Sequence, residues 1–306
     1  ERQLAASVDG SHDDLRFGLT EAYLGAPAAD QRLSFFIYGN DDRGGRGAES
    51  GRLGFAYDTA MLAAGVDYRV DDTLLVGVMF GASESVAGLD GGAGGIALDS
   101  NAFTVYGSLT SDGWYADATA GMSFDDYGTI TRTTGSTLFP VARADTEGTT
   151  RFATLDGGYT FEAGAFSVGP TAGVHYARSA IDGYREAGAG PLNLTVRDQV
   201  DESMIGSIGV RGATRFESGL GTVVSQVHLS FEHEFQDNDH RVAVSLPGAG
   251  STSLTADRSD GDVLRFDATV GIQFDDHVMG LVDYDAAIGQ RGGDDHAVFA
   301  RIKFDF

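Results

Sequence analysis

The 306-residue chain contains no cysteine, only five prolines, few basic residues and no apolar run of eighteen or more. Without Cys there are no disulfide staples and no thiolate metal sites. Lys and Arg number 21 against 45 Asp and Glu, for a formal net charge of −24. Nucleic acid is thereby excluded as a partner, because phosphate contacts need a basic surface. Without a long apolar run there is no transmembrane helix. That absence does not imply solubility, since a membrane barrel hides its apolar surface in alternation. The length suits two soluble domains or one large barrel. Glu1 opens the chain without the basic and apolar regions of a signal peptide, so a processed or excised fragment is expected.

What is present is clearest in the last thirteen residues, Asp294 to Phe306. Val298, Ala300, Ile302, Phe304 and Phe306 share one parity; Arg301, Lys303 and Asp305 share the other. A period of two marks a strand whose faces meet different media. The same pattern recurs upstream. Leu33, Phe35 and Ile37 begin it, and a long run from Arg52 to Val70 follows. Leu74 to Phe80 and Phe103 to Leu109 supply the next two strands. From Trp114 to Phe124 six apolar positions face Tyr115, Asp117, Thr119, Gly121, Ser123 and Asp125. Further strands run around Ala153–Phe161, Phe166–Tyr176, Met204–Phe216, Val223–Phe235, Leu264–Phe274 and Val282–Ile288. With the last strand the total is twelve, and a bacterial single-chain barrel requires an even number.

Connections add a second signal. Tight turns are expected at Asp71-Asp72, Ser111–Gly113, Glu162–Gly164, Glu217–Leu220 and Asp275–His277. Between them fall long polar loops, such as Ser83–Ser100, Asp126–Gly148 and Gln236–Gly261. Short and long connections alternate, as in an outer-membrane barrel with short periplasmic turns and long outer loops. Both ends of the strand set then lie on the periplasmic side. The polar parity, rich in Gly, Ser, Thr and charges, suits a wet lumen. Trp114, Tyr159, Phe161, Phe216, Phe274 and Phe304 stand near strand ends on the apolar parity, as girdles should.

Residues 1–30 read differently. Ser11 to Leu24 places Leu15, Leu19 and Tyr23 at helical spacing, with Ser11 as N-cap and Asp13 and Asp14 in the first turn. Gly25 and Pro27 stop it. The expectation is a linker with a helix over about 11–24, followed by a barrel over 31–306.

With helix, twelve strands and terminal Phe306 in place, nearly the whole chain resembles the autotransporter translocator domain of type V secretion. The segments that carry the likeness are A-A-G-V-D-Y-R-V (63–70), L-L-V-G-V (74–78), G-A-G-P-L-N-L-T-V (188–196), F-E-H-E-F (231–235), V-D-Y-D (282–285) and the closing F-D-F. A looser resemblance is to barrels that carry GDSL-type esterase passengers. The resemblance implies an all-β membrane protein: a 12-stranded antiparallel outer-membrane β-barrel with the N-terminal α-helix in its lumen. It implies an outer-membrane translocator and anchor, monomeric, that carries its own upstream passenger domain to the cell surface. Other implied partners are the barrel-assembly machinery, with Phe306 as assembly signal, and lipid and lipopolysaccharide.

Several candidates for chemistry are weighed against plainer readings. Some relatives cut their passenger through a linker Asn, but residues 1–30 contain none, and Asp9-Gly10 reads as a turn. Glu232 and Glu234 share one face; lumen lining near Arg211, Arg215, Arg265 or Arg16, with Asp267 on the same wall, is favoured over an acid/base pair. Asp237, Asp239 and His240 cluster in the loop after the ninth strand, where a hydrolase rim site would sit, but a solvated loop is the favoured reading. Outward His233 has no adjacent Ser and Asn and reads as girdle. Gly91–Gly95 precedes no helix and lacks Lys, so it reads as a flexible loop and not a phosphate cradle. No EF-hand spacing appears among the acidic loops. No catalytic, cofactor or metal residue is expected. The alternatives are an outer-membrane hydrolase and a passive diffusion pore.

Overall fold

The twelve alternating segments roll into one closed wall. The computed structural model describes residues 32–48, 53–236, 241–248, 250–255, 262–275, 277–288 and 293–305. Its strands are β1 (Leu33–Arg46), β2 (Phe55–Arg69), β3 (Leu74–Leu89), β4 (Gly94–Ser111), β5 (Trp114–Thr133) and β6 (Val141–Tyr159). Then come β7 (Phe166–Ile181), β8 (Gln199–Ser218), β9 (Gly221–Glu234), β10 (Asp262–Gln273), β11 (Val278–Ile288) and β12 (Gly293–Asp305). Phe161–Ala163 continues β6 past Thr160 and pairs with β7. Each strand pairs antiparallel with its sequence neighbours, and β12 returns to β1 with Phe35 opposite Phe304. The ring leaves no free edge, which lipid demands because it cannot hydrogen-bond a bare strand.

Parity decides the faces. Phe35, Ile37, Phe80, Trp114, Ile208 and Ile302 are exposed on the outer wall, while Ser34, Asp67, Thr104, Arg301 and Lys303 are buried inside it. In a soluble protein such an apolar exterior would be an aggregation surface; in a bilayer it is the contact surface. Trp114, Tyr159 and Phe161 stack edge to face at 5.0 and 4.7 Å, at the end of the barrel that carries the tight turns.

Two expectations need correcting. The predicted long loop Ser83–Ser100 is mostly ladder: β3 and β4 remain paired from Leu74↔Leu109 to Leu89↔Gly94. A single 3₁₀ turn, Asp90–Gly92, closes them. Gly91 and Gly92 adopt φ of 69° and 68°, so the glycine run there supplies left-handed backbone to a tight turn rather than slack. Likewise β5 and β6 run on to Thr133↔Val141 through much of the expected loop 126–148. Beyond the bilayer the outer face of a hairpin meets water instead of lipid, so the apolar outer set fades while the hydrogen bonds continue over Leu98 and Tyr127, which are buried on the inner face.

The second correction concerns the lumen, which is not polar throughout. Phe36, Tyr38, Ala63, Met79, Phe152, Ala297 and Phe299 form a buried inward cluster, with Met61 and Tyr106 against it. Two of the rings, Phe36 and Phe152, fit because inward glycines lie beneath them, while Tyr38 and Phe299 stack on each other at 6.0 Å. A Cβ on Gly65 would stand 2.3 Å from Phe36 Cζ, and one on Gly121 2.3 Å from Phe152 Cζ.

At the long-connection end the loops have structure of their own. The segments 250–255, 241–246, 195–196 and 184–185 form a four-stranded sheet, in that order, over Val196, Val242 and Val244. Arg132 Nε donates to Glu186 at 2.8 Å, and Arg132 Nη2 donates to the Leu192 carbonyl at 2.8 Å. The hydrogen bond to Glu186 holds the Arg132 pKa above its usual value. The far end of β5 is thus tied to the connection after β7, and that connection to the one after β9. The predicted helix 11–24, the rim residues Asp237, Asp239 and His240, and Phe306 lie outside the described residues.

Candidate functional site

The lumen wall is where the polar side chains converge, and three groups of them are built by register. The first straddles the seam. Asp67 of β2 faces Arg301 Nη2 and Lys303 Nζ of β12, each 3.5 Å from its Oδ2. Tyr106 of β4 donates its hydroxyl to Asp67 Oδ1. The Arg301 guanidinium lies 4.2 Å over the Phe36 ring, a cation–π contact that joins the ionic group to the aromatic cluster.

The second group spans β9, β10 and β11. Arg265 Nε donates to Glu232 at 3.2 Å and Nη1 to Asp285 at 2.6 Å. One turn of the alternation away, Asp267 Oδ2 is 2.9 Å from His228 Nδ1. His228 Nε2 is 2.9 Å from Thr171 Oγ1 on β7, so the imidazole reaches across β8. It does so over Gly209, where any Cβ would meet Thr171 Oγ1 at 2.8 Å and His228 Nε2 at 2.9 Å.

This hydroxyl–imidazole–carboxylate line has the order of an activated nucleophile. It lacks the rest of such a site. Thr171 sits in a strand paired on both sides, Gly158 on β6 and Gly209 on β8, so the nearby backbone N–H groups are committed to the ladder and form no oxyanion hole. The line is a tie across four adjacent strands, β7 to β10. A similar contact joins His175 Nε2 to Asp156 Oδ1 at 3.0 Å.

The third group is a hydroxyl belt. Asp125 accepts hydrogen bonds from Ser100, Ser123 and Thr150 at 2.7, 2.9 and 2.9 Å. Among the described residues no three His, Asp or Glu side chains gather as metal ligands do.

The residues singled out from sequence are distributed unevenly. Glu232, Arg265 and Asp267 stand together in the second group. Arg211 lies apart, its guanidinium 4.2 Å over the Tyr115 ring and 3.3 Å from Thr160 Oγ1. Arg215 is exposed, three positions from the β8 end. Glu234 accepts from the Met204 and Gln236 backbone N–H groups at 2.9 and 2.8 Å and from the Ser203 hydroxyl, fastening the end of β9 to β8. Outward His233 contacts Asp262 at 2.7 Å and stands edge-on to Phe235.

Sequence reading passed over Asp67, Asp285, His228 and Thr171 as site residues. Their inward parity was visible; their partners, one to several strands away, were not.

Comparison with known proteins places this geometry. A family model described as autotransporter beta-domain matches residues 35–285. The translocator domain of the autotransporter NalP from Neisseria meningitidis superposes with a TM-score of 0.78 at 16% identity, covering 100% of this chain and 98% of that one. The β domain of the Bordetella autotransporter BrkA gives a TM-score of 0.67 at 19% identity over 90% of this chain and 100% of that one. A protein of Pseudomonas putida, described as an uncharacterized protein in the trpE–trpG intergenic region, is 24% identical over 197 residues, 63% of this chain. The chain spans 33% of that relative's length.

Proposed function

We propose a mode of action for this chain, which belongs to the autotransporter β-domain family and is the outer-membrane translocator and anchor of a passenger domain: residues 1–30 thread the lumen as a linker whose helix, about 11–24, plugs the pore. The single observation that carries this reading is the lumen wall. It presents opposed charges in two groups, Asp67 with Arg301 and Lys303, and Arg265 with Glu232 and Asp285. A polar, amphipathic segment such as Ser11–Leu24, with Asp13, Asp14, Arg16 and Glu21, is complementary to such a wall.

The long-connection end, with its tied loops, faces the cell exterior. The tight-turn end, with both ends of the strand set, faces the periplasm. The asymmetry of the connections supports this orientation. The barrel acts as a monomer, which suits a ring without a free edge, and the assembly machinery reads terminal Phe306. The translocator does no chemistry of its own.

A helix of about 14 residues spans about 21 Å, most of an apolar band about 25 Å tall. Removing residues 1–28 is therefore expected to leave a folded, heat-modifiable barrel with larger conductance in planar bilayers and lower thermal stability. Equal conductance with and without the segment would refute the threading and leave a passive pore or a rim hydrolase to be considered.

A further inference from the structure

We propose that the outer wall carries a binding site for the phosphorylated headgroup of a lipid A-type glycolipid, built on Arg151 of β6 and Arg178 of β7. Both occupy the lipid-facing parity, and they are direct cross-strand partners. Opposed like charges in a ladder are destabilising unless a counter-charge lies between them. One acid is near: Glu202 of β8, the register partner of Arg178, accepts from Arg178 Nη1 at 2.9 Å and lies 3.4 Å from the Tyr176 hydroxyl. Arg151 has Met122 of β5 as its other cross-strand partner, and Thr149 and Ala153 as outward neighbours along β6. None of these is acidic. The row therefore carries two guanidiniums and one carboxylate, a net positive patch on a chain of formal charge −24. The surrounding acidity disfavours scattered anion binding, so an anion held here is held by local geometry. Two guanidinium forks side by side match a phosphate group, which accepts paired N–H donors.

Depth selects the lipid. Arg151 lies eight residues along β6 from Tyr159, whose ring stacks with Trp114 and Phe161 at the tight-turn end. At about 3.4 Å per residue and a tilt of about 40°, the row stands roughly 21 Å above that girdle. The apolar band is about 25 Å tall, so the arginines reach the far headgroup boundary. Leu155 and Val174, cross-strand partners exposed on the outer wall, lie on the girdle side of them, where acyl chains would run. Further up β6 the outward positions are Glu147, Asp145 and Arg143, a stretch suited to water. The inference rests on the orientation proposed above, which makes this boundary the outer leaflet, where the phosphorylated lipid is a lipopolysaccharide.

The test uses the full chain in detergent and native mass spectrometry with three lipids: diphosphorylated lipid A, lipid A stripped of phosphate, and phosphatidylglycerol. One diphosphorylated lipid A is expected to stay bound about ten-fold better than either other lipid. Arg151→Gln/Arg178→Gln should lose that margin, and Arg151→Gln alone most of it. Arg143→Gln, on the same parity but above the band, should keep it. Heat-modifiability on mild SDS gels reports folding for each variant. Equal retention by the wild type and the double variant overturns the site. Equal retention of phosphatidylglycerol and lipid A overturns the glycolipid assignment. Orientation is read separately by labelling Leu138→Cys, a highly exposed loop position, with an impermeant maleimide on intact cells. Labelling with no lipid A margin sinks this inference alone, whereas no labelling sinks the orientation on which it stands.

Discussion

Gly65→Ala is expected to damage the barrel out of proportion to its one added methyl group. Gly65 faces the lumen directly opposite Phe36, whose ring is 2% exposed and lies over it. An added Cβ would stand 2.3 Å from Cζ and 2.6 Å from Cε1 of that ring, and 2.7 Å from the Val78 carbonyl. Ordinary carbon contacts lie at about 3.5–4.0 Å, so the ring would have to retreat by about 1 Å. It has little room to do so, with the Arg301 guanidinium 4.2 Å from its centroid and Tyr106 packed edge-on. Overpacking of this kind costs about 1–3 kcal/mol. Gly81, also inward and buried, is the control. There a Cβ meets Ala63 Cβ at 3.3 Å and nothing closer, which a small shift relieves. Because Ala is favoured over Gly in a strand by about 0.5–1 kcal/mol, Gly81→Ala should be neutral or mildly stabilising. The assay is urea unfolding in detergent, followed by the heat-modifiable band. A cycle with Phe36→Ala isolates the ring: in that background Gly65→Ala should cost at least about 1 kcal/mol less than alone, with the carbonyl contact as the residue. Indistinguishable stabilities for Gly65→Ala and Gly81→Ala, or strict additivity with Phe36→Ala, would refute the reasoning.

Arg265→Met should destabilise the folded barrel by about 3 kcal/mol, measured the same way, because it removes the guanidinium shared by the buried Glu232 and Asp285 carboxylates; an unchanged midpoint would count against that role. In the β2–β3 turn the Asp71 pKa is lowered, first by the Thr73 hydroxyl and then by the Thr73 and Leu74 backbone N–H groups. Its contribution is therefore complete above the ordinary carboxylate range and fades as pH falls through the lowered folded value, so wild type and Asp71→Ala should differ at neutral pH and converge in acid. A difference that widens in acid would reverse the sign. Phe306→Asp should lower outer-membrane levels at native expression, read from fractionated membranes; unchanged levels would remove the terminal aromatic as an assembly signal.

What was legible in the chain follows from which contacts are local. Alternation such as Val298, Ala300, Ile302 and Phe304 against Arg301 and Lys303 is a property of one strand, so twelve strands and their tight turns are readable without any partner. Two things broke that reading for stated reasons. Phe36, Tyr38, Phe152 and Phe299 sit on the inward parity, and an aromatic there conflicts with a polar lumen until its cross-strand neighbour is placed, a glycine beneath Phe36 and Phe152 and a second ring for Tyr38 and Phe299. The outer extensions of β3–β4 and β5–β6 lose the apolar outward set, because their outer face meets water and not lipid. The lumen groups are a third case: they depend on register across strands. Arg301 and Asp67 are separated by 234 positions, and the route between them runs through β1, which pairs with β12 on one side and β2 on the other. The seam group can therefore form only after the last strand has joined the first. Asp67, Arg301 and Lys303 are a closure device by geometry, and a sequence read from one end to the other meets its halves at opposite ends.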